Sequence, residues 1–411
     1  MRIHSYNLVK ISTVLIIIFY GLPILNCVPG LIRVCISYFI IITGIAGVLS
    51  QKDNNRSLVV ISMVMLFILL IYFGEGFRLS DISFEQKARS LMMFFLPMIL
   101  GSYWIENKNK TNIRLDFLLL VFFFTCVTTI LGILVFPKAP RILAKSGDID
   151  KSIYYIRNIG GYGYIYSIVF LFPYLSELKK RVQSSKRLLY TIFQVLIIIC
   201  VFMSQYTTAM ILIIVELPFV LSKNMNYKYY IILSSITVLL VHLFVDFNLI
   251  INHLSDFANN LNLPIIANRL DNFNQVVFYD STGGDFYKRT NLYLKSFNAF
   301  CHSPIWGNLF SKSYRDLGGH SELIDMLGGI GLIGLSVFIM FTKRTSDIYL
   351  KSCKDFTFKS VFEFEVLLII ILMLLNTLFV AHQISIIFYL CPILFMHNTD
   401  ELNIEKEDII L

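Results

Sequence analysis

Apolar runs long enough to cross a bilayer recur along this chain, and they constrain its fold more than any other feature. A hydrocarbon core about 30 Å thick takes about 20 predominantly apolar residues in an α-helix. By that criterion the 411 residues hold about twelve runs: 8–25, 31–49, 58–73, 88–105, 115–136, 159–175, 188–203, 207–221, 229–247, 323–341, 361–381 and the short 384–396. The runs are continuous, which excludes a transmembrane β-barrel, whose strands alternate. Charged residues make up only 15% of the chain, against about 25% in a soluble protein, and they collect between the runs. The expected fold class is therefore an all-α polytopic membrane protein, with about twelve transmembrane helices and one large helical extracytoplasmic loop. The first run reads as a span and not a cleaved signal. It is long, lacks a small-x-small cleavage site and is followed by more spans. Met203 and Thr207 leave almost no linker between two runs, so a tight hairpin is expected there.

Orientation follows from Lys and Arg in the short loops. With a cytoplasmic N-terminus, 20 of the 35 basic residues fall on the cytoplasmic side, including Lys179, Lys180, Arg181, Lys186 and Arg187 between two runs. Most of the others lie in two long loops, 137–158 and 248–320, which the bias governs poorly. The expected division is nine helices over 1–247, an extracytoplasmic loop over 248–320, three helices over 321–396 and a cytoplasmic tail over 397–411. The net charge of +8 then reflects topology and a basic outer face, and implies no nucleic-acid partner.

Seven scattered Cys without a CxxC read as small buried apolar residues, and seven His show no HExxH spacing. No Walker lysine motif is present, which argues against an ATP-driven pump. A loop as long as 248–320 should carry helices of its own. Ile250, Leu254, Phe257 and Leu261 recur at helical spacing, as do Leu270, Phe273 and Val277. Both stretches suit the bilayer surface. A third helix is expected over 289–300, ended by Pro304, with Trp306 in the interfacial belt.

The polar loop ends at Gly319-His320-Ser321-Glu322-Leu323, and a glycine-rich apolar helix follows with Asp325, Gly328, Gly331 and Gly334. A His, a Glu and an Asp thus stand at a lipid–water boundary, where chemistry on a lipid-linked substrate is possible. Glu322 and Asp325 share a helical face. They could hold a metal, but pairing with an outer Arg is the reading preferred, with no metal. The glycines are expected to permit close helix packing. Glu216, read as lying near the cytoplasmic end of its run, is assigned a structural role.

Three features together resemble the bacterial O-antigen and capsule polymerases (Wzy-type) and the related O-antigen ligases. One is Lys288-Arg289-Thr290-Asn291-Leu292-Tyr293, then Phe300, then Ser303-Pro304-Ile305-Trp306-Gly307, similar to an Arg-x-x-Leu-Tyr, an apolar helix and a Pro-Ile-x-Gly turn. Another is Gly319-His320-Ser321-Glu322-Leu323 before the glycine-rich helix. The third is the many-span layout with one large outer loop before the third-last helix. The specific motifs cover 289–334 alone. One departure stands out: relatives, ligases especially, place an Arg after a Ser at a tight outer turn, and here that turn reads Ser204-Gln205-Tyr206-Thr207-Thr208.

The resemblance implies transfer of a growing glycan from undecaprenyl pyrophosphate to a sugar hydroxyl on another lipid-linked repeat, at the outer face of the bacterial inner membrane. Donor and acceptor are both undecaprenyl-pyrophosphate-linked glycans. A chain-length regulator and a flippase are implied as membrane partners, and no cofactor. Such chemistry needs cations to neutralise the departing pyrophosphate and an acceptor to orient the hydroxyl. Arg suits the first task, through its planar, permanently charged fork. The resulting candidates are His320 and Arg289 as catalytic residues, with Arg157, Arg141, Glu322 and Tyr293 contacting substrate. The rivals are an O-antigen ligase and a flippase or transporter for lipid-linked oligosaccharide. A transporter predicts related halves and broken mid-membrane helices, neither of which the sequence shows clearly.

Overall fold

The computed structural model describes residues 5–51, 55–75, 84–107, 115–144, 150–182, 184–221, 247–260, 264, 266–268, 270–271, 285–310, 317–352 and 356–407. Among these the regular structure is helical throughout. In order come α1 (Ser5–Gly21), a 3-10 turn (Pro23–Cys27), α2 (Gly30–Leu49), α3 (Asn55–Glu75), α4 (Phe84–Glu106) and α5 (Leu115–Val135). Two short helices, α6 (Ala139–Ala144) and α7 (Ser152–Ile156), precede α8 (Tyr162–Arg181), α9 (Ser184–Ser204) and α10 (Thr207–Leu221). Then follow α11 (Phe247–Asn260), α12 (Asp285–His302), α13 (Glu322–Ser352), α14 (Phe356–Leu375) and α15 (His382–Glu407).

Among the described residues, five helical segments are long and apolar enough to cross a membrane: Gly30–Leu49, Glu85–Glu106, Leu115–Val135, Ser184–Ser204 and Glu322–Ser352. Ser5–Gly21, Ser57–Ile71, Thr207–Leu221 and His382–Leu394 are apolar but shorter. The architecture is that of a helical membrane protein. The run expected at 229–247 lies almost wholly outside the described residues, as does most of the amphipathic stretch at 270–277.

α8 is the central post, with every side chain from Tyr164 to Leu178 buried. α15 packs against both α8 and α4. An aromatic knot joins α3, α4, α13 and the α14–α15 connection, with Phe67, Phe95, Phe341 and Phe379 meeting mostly edge to face. Edge-to-face rings add attraction beyond the area they bury. The peripheral helices turn apolar side chains outward: Leu31 and Ile42 of α2, Leu120 and Leu134 of α5, Leu188 of α9, Ile214 of α10. A surface this apolar suits a hydrocarbon solvent and not water.

Helix ends cluster into two opposite sets. At one end Gln51 bonds Asn107 at 2.8 Å, Ser57 bonds Glu106 at 2.9 Å and Lys186 meets Asp116 at 3.4 Å. The ends gathered at the other side form the candidate site. The hairpin expected between Met203 and Thr207 is present, with Gln205 in the left-handed region (φ 54°). α8 starts three residues later than its apolar run because Asn158 (φ 54°) and Gly161 hold the chain out of helix there. It continues to Arg181 past the apolar run, where Glu177 pairs with Lys180 and Arg181. Basic residues in a last turn also favour the helix dipole. α12 covers the expected 289–300 and stops two residues before Pro304.

α13 departs most from expectation. It breaks at Gly331, whose φ of 62° and ψ of −165° are not helical. The turn Ser303–Asn308 fills the break. Leu332 N–H donates to Pro304 O at 2.9 Å, Ile333 N–H to Ile305 O at 3.2 Å, and Asn308 N–H to Gly329 O at 3.0 Å. A Cβ on Gly307 would lie 2.5 Å from the Gly331 nitrogen, so both positions require glycine. Gly328 permits close approach, as expected: a Cβ there would sit 2.6 Å from Ser296 O of α12.

Glu216 lies nine residues into the fifteen-residue α10, about 14 Å from its start and nearer its far end. It is fully buried, as is Glu365 of α14, and none of the four carboxyl oxygens has a hydrogen-bond partner. Phe219 and Phe364 stack beside them at 4.2 Å.

Candidate functional site

The site is built around two short connections, 318–321 before α13 and 376–381 between α14 and α15. Ser321 caps α13: its hydroxyl accepts the Ile324 N–H at 3.3 Å and donates to Met373 O at 3.2 Å. Asp325, one turn on, reaches back. Its Oδ1 accepts the Gly319 N–H at 3.2 Å and the Ser296 hydroxyl, and its Oδ2 accepts the Ser321 N–H at 3.3 Å. Ser296 in turn accepts the Gly318 N–H at 2.8 Å. Gly319 takes φ 73°, which only glycine adopts without strain. The backbone on both sides of His320 is therefore held by three elements. Its ring stands exposed, with Nδ1 3.1 Å from Gly319 O.

The second connection is a meeting point. Glu322 Oε2 accepts the Leu378 N–H at 2.8 Å and the Phe379 N–H at 3.1 Å, while Glu322 N–H donates to Asn376 O at 3.2 Å. Tyr293 of α12 donates its hydroxyl to Leu375 O at 3.1 Å. Tyr162 of α8 donates to Thr377 O at 2.9 Å, and the Asn376 amide reaches Thr208 Oγ1 of α10 at 3.4 Å. Three helices besides α14 and α15 thus hold this six-residue connection, and α12 holds the end of α14 beside it.

The 204–208 turn joins this cluster. Tyr206 lies 6.1 Å from the Tyr162 ring, and its hydroxyl donates to Pro140 O. Arg141 of α6 lies over Tyr206, 5.1 Å from the ring centroid, and donates to Gln205 O. The turn that lacks an Arg in sequence has one beside it in space.

Of the sequence candidates, His320, Glu322, Tyr293 and Arg141 converge here. Arg157 does not join them through any described contact. It lies over Phe136, 4.8 Å from the centroid, at the edge of a separate small core of Ala139, Leu143 and Ile159. There Asp150 accepts the Ser152 N–H at 2.9 Å, and hydrogen bonds from the Ser152 side chain and backbone hold its carboxyl below the usual range. Arg289 belongs to α12, one helical turn before Tyr293, and its side chain lies outside the described residues. Among the described residues, no Arg pairs with Glu322 or Asp325. Both carboxylates are engaged by backbone N–H groups at helix and loop ends, which need acceptors there. Among the described residues no group of three or more His, Cys, Asp or Glu is set to hold a metal.

Sequence reasoning missed Lys87. The apolar run starts at Ala88, but α4 begins a turn earlier at Phe84, and Lys87 comes within electrostatic reach of Glu322. Arg89 follows it, bonded to Glu85 at 3.0 Å. His382 was also missed. Its Nε2 lies 3.1 Å from both Ser90 Oγ and Ser90 O, and its ring stacks on Tyr20 at 4.5 Å. It ties α1, α4 and α15 together. A lone basic residue flanking an apolar run was the available signal for Lys87. Nothing in the sequence marked His382. No protein-family model matches the chain, and no curated protein matches it.

Proposed function

We propose that this protein is an integral-membrane glycosyltransferase of the polymerase type. It would join undecaprenyl-pyrophosphate-linked oligosaccharide repeats into O-antigen or capsular polysaccharide at the outer face of the inner membrane. One observation carries the reading: His320, Glu322, Tyr293 and Arg141 lie at the same end of the helix bundle, around the 376–381 connection and the 204–208 turn. A rigid backbone under an exposed His suits a group that must meet a mobile sugar hydroxyl. The His320 imidazole accepts the proton as the hydroxyl oxygen bonds the donor sugar's anomeric carbon. The bond from that carbon to the pyrophosphate oxygen breaks, and undecaprenyl pyrophosphate leaves with the electron pair. Arg141, Arg289 and Lys87 supply the cations that this charge requires, and Arg157, apart from them on Phe136, is assigned the outermost contact with substrate. Glu322 acts through the loop it holds and through Lys87. The reading needs no metal, cofactor or nucleic acid, and its partners are the two lipid-linked glycans, with a chain-length regulator and a flippase in the same membrane.

The break at Gly331 is the one observation that favours a transporter, because transporters use broken helices to bind substrate. Here the amides freed by the break are taken by the Ser303–Asn308 turn. A ligase shares the same chemistry, and Arg141 beside the 204–208 turn narrows the departure that argued against it. The lipid-linked glycan profile separates all three. With His320→Ala, single repeats on lipid should accumulate while the protein level stays normal, and His302→Ala serves as the tolerated control. Long unligated chains would mean a ligase, and repeats trapped inside would mean a flippase. Polymer of normal length and amount from His320→Ala would sink the reading.

A further inference from the structure

α12 and the turn after it do not lie across the top of the bundle. The two helices run side by side in the same direction: Ser296 bonds Asp325, Ser296 and Ala299 flank Gly328, and residues 304–308 meet 329–333. The chain thus descends along α13 from its first turn to its break. It is back at the top by Gly318, which bonds Ser296 and would collide with Leu292 if it carried a Cβ. Gly331 lies nine residues into α13, about 14 Å along it. The ends of neighbouring helices mark the level from which that descent is measured. Leu375 and Met373 at the end of α14 bond Tyr293 and Ser321, and α14 itself spans about 29 Å, the thickness of a hydrocarbon core.

The descending segment has three faces. Leu292, Ser296 and Ala299 pack on or toward α13. Leu294, Phe297 and Cys301 are exposed on a second face, continued by Ile305, Trp306 and Phe310, the last 80% exposed. Trp306 and Phe310 pair at 5.2 Å. This apolar surface runs on into exposed Leu332, Ile339 and Met340 of α13. The third face carries Asn291, Lys295, Asn298 and His302, all exposed, at the i, i+4, i+7, i+11 spacing of a single helical stripe.

We propose that α12 and its turn form a re-entrant hairpin, with Ile305, Trp306 and Phe310 seated among the acyl chains of the leaflet at the site end and the Asn291–His302 stripe facing a water-filled furrow. Irregular backbone survives at membrane depth only when its polar groups are satisfied within the protein. Here they are. Ser303 N–H donates to Phe300 O at 3.1 Å, Gly307 N–H to Ser303 O at 2.7 Å and Leu309 N–H to Trp306 O at 3.2 Å, besides the three bonds into the α13 break. The break and the turn therefore complete each other, and the paired glycines set the depth. Trp306 is then a core residue of the leaflet and not a member of the interfacial belt. The inference rests on the membrane architecture and stands whatever reaction the site performs.

Trp306 is one of two Trp residues, and the other, Trp104, is fully buried. The full-length protein is reconstituted in phosphatidylcholine vesicles brominated at shallow or mid-chain positions, and Trp fluorescence is compared between wild type and Trp306→Phe. The Trp306 difference signal should be quenched at least about twofold by mid-chain bromines, less by shallow ones, and scarcely by aqueous iodide. Quenching by iodide, or by shallow bromines above all, would place the turn in water or at the headgroups and overturn the proposal. A second measurement avoids reliance on Trp306. In a background lacking Cys27, Cys35 and Cys301, Asn298→Cys should react with an impermeant thiol reagent at least about tenfold faster than Phe310→Cys. Equal rates would remove the distinction between the two faces.

Discussion

Replacing Glu322 by Ala removes the acceptor of two backbone donors, the Leu378 N–H at 2.8 Å and the Phe379 N–H at 3.1 Å. A hydrogen bond to a charged group contributes about 1.5–3 kcal/mol net, and an orphaned buried donor costs a similar amount. Glu322 is partly exposed, so water recovers some of that loss. The two bonds together give about 3–5 kcal/mol. With an unfolding entropy of about 2 cal/mol/K per residue, that lowers the midpoint of a chain this size by about 4–6 °C. Glu322→Gln keeps an amide oxygen in place and loses the charge, for about 1–2 kcal/mol and about 2 °C. The assay is thermal unfolding of detergent-purified protein, with polymer formation measured in cells at a temperature well below the lowest midpoint. Polymer from the Gln variant and none from the Ala variant would assign Glu322 to holding the 376–381 connection. If the Ala variant unfolds within about 1 °C of wild type, these two bonds do not anchor the loop, and the account of the site's rigidity is wrong.

Arg141→Lys keeps the charge but loses the fork and the stacking on Tyr206, so polymer should fall severalfold with protein level normal, and Arg289→Lys should cost more. Lys138→Ala, a solvated loop charge, should cost least, and equal small effects from all three would make the arginines headgroup contacts. Glu216→Leu should raise the unfolding midpoint by a few degrees, because it removes a buried carboxyl with no partner. A fall in stability, or loss of polymer at unchanged stability, would show that the Glu216–Glu365 pair has a task. A Cys introduced at Ser281 should react with an impermeant thiol reagent in intact spheroplasts, in the same background lacking Cys27, Cys35 and Cys301, which are all exposed. Reaction only after permeabilisation would reverse the orientation and remove the site from the outer face.

The helical class and the approximate position of most helices could be read directly, because a bilayer-length apolar run has few alternatives to a helix. Gly319, His320 and Ser321 also marked themselves locally, since a polar loop meeting an apolar glycine-rich run signals a helix start. The tight 204–208 hairpin followed from linker length alone. Helix ends were less legible. α4 and α8 extend into charged residues, and what permits this is pairing with partners such as Glu177 that no hydropathy window registers.

What the linear order could not show is adjacency. Arg141 and the 204–208 turn are about 65 residues apart, and only the packing of α6 against the bundle puts the guanidinium on Tyr206. Lys87 and Glu322, and Glu216 and Glu365, come within electrostatic reach of each other for the same reason. Gly331 was visible as a glycine among apolar residues, a pattern that ordinary helix packing explains equally well. Its break exists because three backbone hydrogen bonds to the Ser303–Asn308 turn replace those that a continuous helix would make. Hydrophobicity is a property of each residue and survives in sequence, so the sequence alone determined that this chain is a helical membrane protein. Hydrogen bonds between distant carbonyls and amides are properties of pairs, and only the tertiary structure decided which pairs form.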